Sequence, residues 1–158
     1  MNFFLRDIKC LPAYNNTQRW VNMRNRLKTR MIKILSGNRE TRLTVQVADT
    51  PSKIEKGLMF VGRLPENEGM LFVFARQVYG GFWMKNTFIP LSIAFLDADG
   101  RILKILDMVP CIGDNCPIYN PNLFYYYAIE VNLGWFKRNQ IKEGDYVQFN
   151  WIHLTSKN

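Results

Sequence analysis

Residues 80–95 read GGFWMKNTFIPLSIAF, and within them a tryptophan, a methionine, a lysine and an asparagine stand side by side. Trp83 offers a face for stacking, Lys85 a cation, and Asn86 both a donor and an acceptor, a set that could grip a sugar, a peptide or an anion. The two-residue period of a strand puts Phe82 and Met84 on the side opposite Trp83 and Lys85. Gly80-Gly81 upstream admits a close backbone approach, and Asn86 and Thr87 fall at the bend before Pro90, where polar side chains bond free backbone groups. A purely structural cluster is the competing reading, with Trp83 packed, Lys85 solvated or paired with Glu130, and Asn86 holding a turn.

Carboxylates are the other chemistry-bearing residues, because sugar hydrolases need an acid and a base facing each other across a cleft. Asp49 reads as a helix cap and Asp145 as a turn residue, which leaves Glu130 alone on an apolar strand. One unexplained carboxylate is not a mechanism. The serine-nucleophile pattern G-x-S-x-G and the phosphate loop G-x-x-x-x-G-K are missing from the sequence. Asp97-Ala98-Asp99-Gly100 starts like a calcium loop but lacks the later ligands, so it reads as a hairpin turn.

Soft-metal chemistry is a defined alternative. Met59, Met70, Met84 and Met108 are thioethers of the kind that select Cu(I). Methionine is also the ordinary filler of irregular cores, and no Met-x-x-Met or His-rich run accompanies these four. Cys111 and Cys116, with four residues between them, could close a small disulfide loop, stay as thiols or form half of a metal site. With a single histidine, His153, a zinc site of the usual His/Cys kind is not expected, and no cofactor is implied.

The elements that must position these residues follow from pattern. The chain has 158 residues, 47% of them hydrophobic, enough for one domain with something left over. The net charge of +8 is carried entirely by residues 1–42, which hold ten Lys/Arg against two acids; the remainder is balanced. Trp20, Met23, Leu27 and Met31 recur at helical spacing among arginines and lysines, so a basic amphipathic helix is expected over about residues 18–30, with Thr17 as its cap. Residues 1–30 then form a basic arm, and residues 17–42 could contact a polyanion or a membrane surface, or dock on the domain or a partner. Residues 31–158 read as a single β domain. Strands are expected at 32–35, 43–47, 70–74, 82–84, 91–96, 102–106, 124–131 and 146–151, with a short helix at 51–59 opened by Pro51. No apolar stretch approaches a membrane span and no secretory signal opens the chain, so the sequence as written reads as cytoplasmic.

Five blocks in order, ADTPSKIEKGLMF, EGMLFVF, FWMKNTFIPLSIAFLDADGRI, PCIGDNCPIYNP and IEVNLGWFKRNQIKEGDYV, resemble the family catalogued as domain of unknown function 192, also called uncharacterised protein family 0127, over about residues 42–150. The resemblance implies an all-β, mostly antiparallel fold, a compact β-sandwich or barrel of jelly-roll type with one or two short helices. It implies no activity. Members often carry an export signal where this chain has its basic arm, which leaves an exported form open. The function expected is therefore a non-enzymatic module that binds a ligand or a protein partner, with Trp83, Lys85, Asn86 and Glu130 as the ligand-binding candidates. A structural or assembly subunit is one alternative; a hydrolase or metal-dependent enzyme, including copper handling by Met59, Met70 and Met84, is the other. The partner and the oligomeric state are not encoded in any readable signal.

Overall fold

The computed structural model describes residues 27–151; residues 18–26 of the helix expected over 18–30, Cys10 and His153 lie outside them. The last turn expected of that helix is instead strand. β1 (Lys28–Ser36) begins four residues earlier than the hydrophobic pattern indicates, and Lys28, Thr29 and Arg30 pair with Val47, Gln46 and Val45 of β2 (Arg39–Ala48). A ten-residue partner strand supplies backbone bonds at these positions, and that outweighs a local preference for helix.

A short helix, α1 (Pro51–Lys56), follows with Thr50 in the N-cap position and Pro51 in its first turn. Asp49 does not cap it: its carboxylate pairs with Lys53 at 2.6 Å and Lys28 at 3.7 Å. The chain then crosses to β3 (Glu68–Tyr79), which runs parallel to β2, a pairing that requires such a crossover. The remaining strands are β4 (Phe82–Trp83), β5 (Leu91–Leu96), β6 (Ile102–Met108), β7 (Ile118–Tyr119), β8 (Phe124–Asn132) and β9 (Tyr146–Gln148), with α2 (Trp135–Arg138) between the last two. All their pairings are antiparallel.

Seven strands form one mixed sheet in the order β6-β5-β8-β3-β2-β1-β9, and β4 and β7 form a second, small one. The large sheet is not a closed barrel. Its two edges meet at one end only, where Val147 N–H donates to the Gly100 carbonyl and Ile102 N–H to that of Asp145, each at 2.8 Å. Gly100 makes this approach at φ +83°, and a Cβ there would run into the Val147 carbonyl. The Asp97 carboxylate accepts the Asp99 and Arg101 N–H groups at 2.9 Å, which fixes the turn as the DADG pattern anticipates.

Both faces of the sheet are covered. One face holds Ile32, Ile34, Leu43, Val45, Leu71, Ala94, Ile129, Trp135 and Phe136. The other face holds Met70, Phe72, Met84, Leu91, Ile93, Phe95, Ala128 and Tyr125, covered by Leu58, Val61 and Leu64 from the crossover and by β4. Central strands therefore lack the one-sided alternation of an exposed sheet: all six residues of β5 are buried. Among the described residues no helix is long and apolar enough to cross a membrane.

Candidate functional site

The second covering layer is incomplete. Between α1 with its following turn, the far end of β3, β4 and β8 lies an open pocket of about 330 Å³. Phe72, Phe74, Phe82 and Tyr125 wall it, Ile54, Leu58 and Met59 close it from the crossover, and Trp83 stands at its rim, 45% exposed. A bulge makes this shape. Between Val73 and Val78 the register of β3 against β8 slips, so that Phe74 and Val78 both reach the pocket. Phe82 is the hub of the wall, edge-on to Phe72 at 4.9 Å and to Phe95 at 5.8 Å. Tyr125 donates its hydroxyl to the Gly80 carbonyl at 3.3 Å, and burial pushes its pKa up to about 12.

Glu130 lies in the same pocket and is 4% exposed. It sits in mid-sheet on β8, facing Met70 of β3 and Ile93 of β5 in register. These neighbours offer nothing to a charge. No ion pair or side-chain hydrogen bond reaches its carboxyl among the described residues, and desolvation raises its pKa to about 8. At neutral pH the group is mostly a neutral acid, able both to donate and to accept a hydrogen bond.

The FWMKN cluster divides. Met84 is sealed in the core and Phe82 packs against it, while Trp83 and Lys85 face outward, as the strand period requires. Lys85 does not meet Glu130. Its Nζ lies 2.8 Å from Asp114 Oδ1 and 5.4 Å from the centre of the Trp83 ring, and it does not line the pocket. Asp114 is brought there by the loop that Cys111 and Cys116 close: their sulfurs are joined at 2.08 Å, and Cys111 bridges to the backbone of Lys85 and Thr87. The exposed pair holds the Asp114 carboxyl below its usual range through its hydrogen bond with Lys85. Asn86 takes a left-handed backbone at φ 55°, and its carbonyl accepts the Phe60 N–H at 2.8 Å. Gly81 is crossed closely by β7, since a Cβ there would sit 2.5 Å from the Tyr119 carbonyl.

Of the four ligand-binding candidates, the fold thus brings Trp83 and Glu130 to one pocket and leaves Lys85 and Asn86 outside its lining. Met70 and Met84 are packing atoms of the core, each 1% exposed, and Met59 is part of the pocket wall. Among the described residues no three His, Cys, Asp or Glu side chains converge as a metal site would need. Asp145 is a turn residue, its carboxylate accepting the Lys142 N–H at 2.8 Å. The aromatic wall escaped the sequence because it is assembled from β3, β4 and β8. Its one signal was the density of Phe and Tyr in these segments.

The chain belongs to the family of domain of unknown function 192, described as an uncharacterized ACR, whose model matches residues 32–149. No curated protein matches it. Among solved structures it is similar to a candidate transcription regulator from Sinorhizobium meliloti 1021, with 31% identity and a TM-score of 0.72 over 77% of this chain and 94% of that one. It is similar too to a protein of unknown function from Novosphingobium aromaticivorans DSM 12444, with 30% identity and a TM-score of 0.72 over 78% of this chain and 86% of that one.

Proposed function

We propose that this protein is a non-enzymatic β module whose pocket between α1, β3, β4 and β8 binds a small, largely apolar ligand. The observation that carries this reading is an open, aromatic-walled pocket lined by the carboxyl of Glu130, which is 4% exposed and has no ion-pair or side-chain hydrogen-bond partner among the described residues. Apolar walls with few polar groups are the usual make-up of small-ligand sites, and a polar group left without a partner in such a place gains one when a ligand arrives. Trp83 at the rim adds a face on which a flat ligand stacks.

Acid–base chemistry calls for a second group facing the first. The other charged residues lining the pocket are Glu55 and Lys56, both exposed on α1. A binding site therefore accounts for Glu130 with fewer assumptions than a hydrolase does. Contact with a polyanion through residues 17–42 is an accessory reading, and part of that charge is engaged locally: Lys33 and Arg42 both pair with Glu40, at 2.9 and 3.1 Å.

Titration of the full chain with neutral aromatic probes, indole and 2-phenylethanol, followed through amide and indole N–H resonances, tests the reading. Shifts should cluster at Trp83, Val78 and Tyr125, and Val78→Trp, which fills the pocket, should abolish them. Binding that is unchanged in Val78→Trp, or no binding at millimolar probe, would overturn it.

A further inference from the structure

The chemical class of the ligand is legible in the mismatch between Glu130 and its surroundings, an inference that rests on the pocket being a binding site. A carboxyl on the central strand β8, facing Met70 and Ile93, serves no packing purpose that an apolar side chain of similar size would not serve better. Buried carboxylates are ordinarily paired, and among the described residues no cation pairs with Glu130. Lys85 is turned to Asp114, Lys53 to Asp49, and Lys56, which lines the pocket, is exposed on α1 beside Glu55, also in the lining. The remaining titratable groups that line the pocket are Tyr79 and Tyr125, the latter committed to the Gly80 carbonyl. Around this acid stand Phe72, Phe74, Phe82, Tyr125 and Trp83, whose ring faces attract cations.

We infer that the pocket takes a small amine, a molecule with an apolar or aromatic body and one protonated nitrogen, and that Glu130 is its counter-ion. A carboxylate or phosphate ligand would meet an acid and ring faces of the same sign. An ammonium meets both as complements. The cavity of about 330 Å³ has room for a single-ring amine. Pairing converts the neutral acid to its carboxylate: the Glu130 proton leaves to solvent, the ammonium keeps its own, and one proton is released for each amine bound at neutral pH.

The experiment compares phenethylamine with 2-phenylethanol, its neutral counterpart, by calorimetry on the full chain at pH 6, 7 and 8, in buffers of different ionisation enthalpy. For phenethylamine Kd should fall about tenfold per pH unit up to about pH 8, with one proton released per molecule bound, and for the alcohol it should stay flat. Glu130→Gln should keep alcohol binding, remove the pH dependence of amine binding and weaken the amine at least about tenfold at pH 8. If both probes bind the natural chain equally at every pH, or only the alcohol binds, the amine inference falls while the pocket reading stands. If neither binds at millimolar concentration, both fall.

Discussion

Replacing Glu130 by glutamine should make the protein less sensitive to alkaline pH, by an amount that follows from burial. In the unfolded chain a glutamate ionises near 4.5, whereas in the folded protein desolvation holds the proton until about pH 8. Below 4.5 the acid is neutral in both states and contributes no pH dependence. Between 4.5 and 8 the folded state binds more protons, so stability falls as pH rises, by about 1.4 kcal/mol per unit. Near pH 7 the accumulated penalty is about 3 kcal/mol, and beyond pH 8 it levels at about 5 kcal/mol. Glutamine carries no proton equilibrium and adds only a constant offset from its own buried amide. The lowered carboxyls of Glu40, Asp49 and Asp114 are common to both proteins and cancel in the difference. Urea unfolding of both proteins at pH 5, 7 and 9 reads the effect directly: the stability of Glu130→Gln relative to the natural chain should rise by about 4 kcal/mol across that range. Parallel stability curves would mean that Glu130 is hydrated or paired, and the argument for an unpartnered buried acid would collapse.

Met84→Ala should cost about 2 to 5 kcal/mol in urea unfolding as a core truncation, and a cost near zero would place Met84 outside the core. Gly100→Ala should destabilise by about 2 kcal/mol or more, because it combines a positive φ with a Cβ against the Val147 carbonyl where the sheet edges meet. Without reductant, Cys111 and Cys116 should resist alkylation while Cys10 reacts, as mass spectrometry would read; labelling of all three would refute the bridge. Removal of residues 1–26 should leave cooperative thermal unfolding intact, since β1 and Leu27, which packs on the core, are retained. If the basic segment binds a polyanion, the affinity of the full chain should fall steeply with salt, and a flat response would exclude that contact.

Local pattern determined a good deal of this protein. The strand at 91–96, the Asp97 turn, the proline-opened helix and the division of FWMKN between core and surface are set by neighbours within a few residues, through the two-residue strand period and the fixed φ of proline. Glu130 stood out as the acid that no turn or cap explained. What surrounds it came only from the tertiary structure. The parallel pairing of β2 with β3 draws α1 and its following turn over the face of the sheet, and the bulge between Val73 and Val78 turns Phe74 and Val78 toward β8. The partner of Lys85 was likewise a matter of distance along the chain. Asp114 lies 29 residues away, carried on a disulfide loop held against residues 85–87, so the cation that could have met Glu130 is paired at the surface instead. Strand period fixes which way a side chain points; which other side chain it meets depends on long-range register, and no local pattern contains that.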